Sequence, residues 1–180
     1  MILKIHLQKM DFWDPVKEEF VVYPEEDVSL NHCLLAVSKW EEIWKKPFLT
    51  PPQMKRQLTI EELHSYIECM VEGEIPKNFI ERLSFENQEK IGEYIKDSKT
   101  ATTISKQGSK TNSEILTSEV LYFYLSAFQM PFDICERWHL SRLLTLIEVA
   151  SIKNSPPKKM SKRSIMQQNH ALNKARKARH

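Results

Sequence analysis

Thr59 to Met70, TIEELHSYIECM, opens on a capping box: the Thr59 hydroxyl takes a free backbone donor of the first turn, and the Glu62 carboxylate reaches back to the cap. Behind it Ile60, Leu63, Ile67 and Met70 recur at helical spacing, the stripe of an amphipathic helix that ends near Gly73. The same period runs upstream. Ser29 is expected to open a helix to about Lys46, closed by Pro47, with Leu30, Leu34, Val37 and Trp44 on one stripe and Cys33 and Trp40 beside it. Downstream, Pro76 starts a short helical segment with Phe79 and Leu83, and Ser84 caps a helix that buries Ile91 and Ile95 and fades at Asp97. Ile115 to Phe128 is apolar nearly all round, which predicts a central helix enclosed by the others. Met130-Pro131 breaks it, and Asp133 to Ile152 resumes with Trp138, Leu143, Leu144, Leu146 and Ile147.

The N-terminus has another period. Leu3, Ile5 and Leu7 alternate with Lys4, His6 and Gln8, as in a half-buried strand. Asp14-Pro15 makes a turn, and Glu19 to Tyr23 is rich in strand formers before Pro24 stops it. A hairpin of these two strands must lie on the helices or on a partner's sheet edge, because a ribbon of two strands is not stable alone. The expected fold class is therefore mainly α: a compact helical domain with a short N-terminal β-hairpin and a basic C-terminal helical tail. Its expected parts are the hairpin at 1–28, a helical body at 29–155 and the tail at 156–180, with Ser98 to Asn112 a polar, mobile loop inside the body. Pro156-Pro157 ends the body, and Ser161 caps the tail helix.

Composition narrows the function. With 180 residues, 41% of them hydrophobic, the chain can bury a core. Three glycines leave little material for glycine-built phosphate loops, and no Walker or dinucleotide fingerprint is present. The three cysteines, Cys33, Cys69 and Cys135, are far apart in apolar runs, as buried thiols of a reducing compartment would be. Met1 to Gln8 lacks the pattern of a secretory signal, and the longest apolar run, Val120 to Phe132, is too short to span a bilayer. A cytoplasmic protein without membrane contact is expected. The net charge of +2 conceals a division: from Lys153 onward there are nine Lys or Arg residues and no acid, so the rest of the chain sets 17 basic residues against all 24 acidic ones. An acidic body with a basic tail points to a tail with its own acidic partner, protein or nucleic acid.

Catalytic chemistry finds no foothold. Cys135 and His139 stand four apart on an expected helix, so both could face one metal ion, but His32, Cys33, His64 and Cys69 show no paired ligand spacing to complete a zinc site. No third residue or glycine turn makes the same pair a nucleophile and base. No catalytic residue, no metal and no cofactor is expected. The clusters Glu18-Glu19, Glu25-Glu26-Asp27 and Glu41-Glu42 read as solvated surface. Trp138 and Trp40 read as core. Trp13 beside a turn and Trp44 at a helix end are the candidate anchors for a protein partner. Lys158, Lys159, Lys162, Arg163, Lys174, Arg176, Lys177 and Arg179 are the candidate contacts for an acidic partner.

Several stretches together look familiar: Phe12-Trp13-Asp14 with Glu18-Glu19-Phe20, Ser38-Lys39-Trp40-Glu41 with Trp44 to Leu49, Tyr66 to Met70, Thr100 to Thr103, Trp138 to Ile147, and Pro156 to Ser161 with Asn169, Ala171 to Asn173 and Ala175-Arg176. Their order resembles a family of small tailed-bacteriophage proteins found among virion-assembly genes and similar to tail assembly chaperones. The resemblance implies a holdase of the host cytoplasm that coats the apolar tape-measure protein while tail tube subunits polymerise, by helix-in-groove capture with Trp44 and Phe48 as anchors. It brings no catalytic residues. Two other readings compete: a phage protein binding nucleic acid non-specifically through the basic tail, and a structural neck or connector component of the virion.

Overall fold

A computed structural model describes residues 2–50, 57–102 and 115–154, together with 166, 167 and 170. The chain divides into two units, Met1–Ala150 and Ser151–His180. In the second, residues 166, 167 and 170 are helical; the eight basic candidates of the tail lie outside the described residues.

Four strands of five residues open the first unit: β1 (Leu3–Leu7), β2 (Met10–Asp14), β3 (Glu19–Tyr23) and β4 (Glu26–Leu30). They are nested. β2 pairs with β3 from Met10↔Tyr23 to Asp14↔Glu19, and β1 pairs with β4 from Leu3↔Leu30 to Leu7↔Glu26. One register serves both pairs, so a single long hairpin is interrupted where Lys9 faces Pro24, which has no N–H to give to a ladder. The turn is the expected one: the Asp14 carboxylate accepts from the backbone N–H groups of Val16 and Lys17, and Glu18 closes it at φ 55°.

The pairing corrects the expected hairpin. Met10–Asp14 is a strand of its own, so β1 meets residues 26–30 and not Glu19–Tyr23. Ser29 accordingly lies in β4 and opens no helix. Ile5, Leu7, Val28 and Leu30 are buried together, Asn31 N–H donates to the Met70 carbonyl and Glu72 N–H to the Ser29 carbonyl. These long-range bonds outweigh the local capping preference of one serine.

Six helices follow among the described residues: α1 (Leu34–Trp44), α2 (Ile60–Cys69), α3 (Phe85–Lys96), α4 (Ser118–Ala127), α5 (Phe132–Cys135) and α6 (Leu140–Asn154). The fold is mixed, with helices the larger share, so mainly α describes it only roughly. The capping box at Thr59 is complete in both directions, and Ser84 caps α3. Residues 77–82 turn without forming a regular helix, yet Phe79 and Leu83 are buried as anticipated. On α2 the buried side is Glu62, Tyr66, Ile67 and Cys69, while Ile60 and Leu63 face solvent.

The core gathers around Trp40, Tyr66, Phe79, Leu121, Leu125 and Leu143. The Trp40 indole N–H donates to the Glu62 carbonyl at 2.8 Å, tying α1 to α2. Enclosure of α4 is not observed: Leu121 and Leu125 are buried, but Phe123 is 66% exposed. Its aromatic residues cover one another instead, Tyr124 stacking on Phe128 with centroids 6.3 Å apart.

Candidate protein-binding surface

β2 and β3 pair with each other and touch the rest of the unit only marginally. Alternation splits the ribbon into two faces. Met10, Phe12, Val21 and Tyr23 share one, where Phe12 and Tyr23 meet edge to face at 5.5 Å and the Arg82 guanidinium lies 5.9 Å from the Tyr23 ring. The other face carries Asp11, Trp13, Phe20 and Val22. Trp13 and Phe20 are direct cross-strand partners with centroids 5.2 Å apart, yet they remain 53% and 67% exposed. Val22 beside them and Val16 in the turn are exposed too. A contiguous aromatic face left in water costs free energy unless something covers it.

The arm as a whole is acidic. Between Lys9 and Asp27 the hairpin holds seven acidic residues and two lysines. Three acids at its base are engaged, Glu26 with Arg82 and Asp27 and Glu25 with His6. Asp11, Glu18 and Glu19 are exposed along the arm. Asp14 and Glu19 stand directly opposite each other, an unfavourable like-charge pair.

Of the three candidate anchors, Trp13 alone stands on this surface. Trp44 stacks on Trp40 at 6.1 Å and donates its indole N–H to the Ser65 hydroxyl at 3.0 Å. Phe48 stacks on Tyr66 at 4.1 Å and meets Trp40 edge-on. Both are half-buried members of the α1–α2 packing, and their exposed area is correspondingly small. Phe20, placed in a strand by the sequence but not among the candidate anchors, stands opposite Trp13 across four turn residues centred on Val16-Lys17.

The three cysteines, His32 and His139 lie inside, whereas His64 on α2 is half-buried. All three cysteines are free and buried, and burial pushes each thiol upward from its ordinary pKa. The His139 imidazole donates from Nε2 to the Tyr94 carbonyl at 3.0 Å, leaving its buried Nδ1 without a partner, and its ring centroid is 5.0 Å from that of His32. His32 Nδ1 lies 2.5 Å from the Tyr66 hydroxyl. Among the described residues no group of three or more His, Cys, Asp or Glu side chains is placed to hold a metal ion. Nor is any helix among them long and apolar enough to cross a membrane.

The acidic clusters divide. Glu41, read as solvated, is buried: its carboxylate accepts from Phe48 N–H at 2.8 Å and Ser118 N–H at 2.7 Å, joining the end of α1 to the start of α4. Glu62 is buried as well, with Lys46 on its carboxylate at 2.9 Å. The capping box marks Glu62 as structural in the sequence; nothing local marks Glu41, because its Ser118 donor lies far along the chain.

The chain matches no family model, no curated protein and no solved structure. Its own geometry is what speaks for function, and that geometry is an aromatic, acidic ribbon.

Proposed function

We propose that this chain is a protein-binding factor of virion assembly, of the tail-assembly-chaperone kind that its sequence resembles, holding the tape-measure protein while tube subunits polymerise in the host cytoplasm. The observation that carries the reading is the exposed Trp13–Phe20 pair on a ribbon with little other contact. A holdase must offer apolar surface to an unfinished partner while remaining folded itself, and an arm set apart from the core meets both demands. The anchor role moves from Trp44 and Phe48, which brace the helices, to Trp13 and Phe20.

The test is suppression of aggregation. A tape-measure fragment that precipitates alone should stay in solution with the full chain, and Trp13→Ala with Phe20→Ala should remove most of that protection without lowering the chain's own melting temperature. Protection unchanged in the double variant sinks the reading. Mass spectrometry of purified particles separates a chaperone, absent from them, from a neck or connector component, which persists.

A further inference from the structure

We propose that the β2–β3 ribbon recognises a cationic, extended polypeptide segment, which pairs along one of its open edges as an added strand and lays alternate apolar side chains over Trp13, Phe20 and Val22. This rests on the protein-binding reading of the arm and replaces helix-in-groove capture as its mode.

Three observations carry it. The first is the pair of edges. A ribbon of two strands has an outer row of N–H and C=O groups on each strand, and no further strand pairs with β2 or β3 among the described residues. Backbone pairing supplies affinity in strand addition, and alternate side chains supply selection. The second is shape. Trp13, Phe20 and Val22 lie on one side of the ribbon and all three are more than half exposed, so the face offers no groove to enclose a helix, whereas an extended chain projects every second side chain to that side. The third is charge. Exposed Asp11 lies on the apolar face opposite Val22, Glu18 stands in the turn at the tip and Glu19 on the reverse face, and the hairpin from Lys9 to Asp27 holds seven acids to two bases. A second copy of the same arm would bring like charges together, so the acids disfavour self-pairing and favour lysine or arginine on the partner.

The experiment uses the full chain and a fluorescent peptide of alternating valine and lysine. The peptide should bind, and more weakly as salt rises. The Trp13→Ala/Phe20→Ala variant should weaken binding at least tenfold. Asp11→Lys, Glu18→Lys and Glu19→Lys together should do the same while gaining affinity for the valine–glutamate counterpart. Methylating alternate backbone nitrogens of the peptide, which removes its donors but keeps its charge, should also cost tenfold or more. Affinity within twofold after charge reversal or after methylation overturns the proposal. So does a result in which the arm variants change only the chain's self-association, measured by sedimentation, since the occupant would then be a second copy. If the peptide fails while protection of the tape-measure fragment still depends on Trp13 and Phe20, strand addition is lost and the chaperone reading survives.

Discussion

His32 and His139 sit ring to ring inside the first unit, each nearly inaccessible to solvent, and each ties distant elements together. The His32 carbonyl accepts from Leu140 N–H at 2.8 Å, and His139 Nε2 reaches Tyr94 on α3. Burial, reinforced by the neighbouring His139, lowers the His32 pKa from 6.5 to about 4; burial also lowers that of His139. The unfolded chain therefore takes up protons that the folded chain refuses. Stability conferred by neutral His32 is complete above pH 6.5 and is lost as pH falls through 6.5 towards about 4, by at most about 3 kcal/mol. His139 adds to the loss in the same direction, because a protonated Nδ1 would be a buried donor with no acceptor. Urea midpoints should thus fall between pH 7 and pH 4.5, and His32→Asn should flatten the dependence. A variant that loses stability in parallel with the parent over that range would remove His32 from the explanation.

At the scale of elements, the ribbon tests how separable the arm is from the core. Because β1–β4 and β2–β3 share one register, Met10 to Tyr23 can be replaced by Asn-Gly between Lys9 and Pro24, closing β1 and β4 with a tight turn. Pro24 must stay, since its carbonyl accepts from buried Arg82. The shortened chain should melt cooperatively within about 5 °C of the parent, as the arm's contacts with other strands and helices are few and the Tyr23–Arg82 contact is the chief loss; a fall of more than ~10 °C would mean that the arm packs on the core. The elements legible beforehand were those written in local chemistry: the box at Thr59 and Glu62, the serine cap of α3, the turn at Asp14. Those that escaped depend on distant partners. Ser29 looks like a cap until Glu72 and Met70 supply its neighbourhood with strand-like bonds, and Trp44 and Phe48 look like anchors until Ser65 and Tyr66 cover them. Trp13 could be singled out because a tryptophan beside a four-residue turn has few neighbours to bury it. Phe20 needed the register.

For the whole molecule, the division of charge decides which class of partner each region can serve. The body is acidic and its arm more so, whereas all nine basic residues from Lys153 onward stand without an acid among them. An acidic aromatic arm repels phosphate, so affinity for nucleic acid could come only from the basic residues; with ~8 phosphate contacts the logarithm of that affinity should fall against the logarithm of salt with a slope of roughly −7. A protein partner held by Trp13 and Phe20 behaves otherwise, since a buried aromatic anchor contributes about 2 kcal/mol or more whatever the salt, and screened charges chiefly govern the rate of encounter. Two variants therefore separate the readings when each is titrated with a tape-measure fragment and with duplex DNA from low to high salt. If the protein-binding reading holds, Trp13→Ala/Phe20→Ala weakens the fragment complex tenfold or more at every salt concentration, and a chain ending at Ser155 slows association at low salt only. If the chain instead serves nucleic acid, the chain ending at Ser155 loses DNA altogether, the parent shows the steep slope, and the arm variant matches the parent. The second pattern would transfer function from the ribbon to the basic residues and leave the exposed aromatic pair without a role.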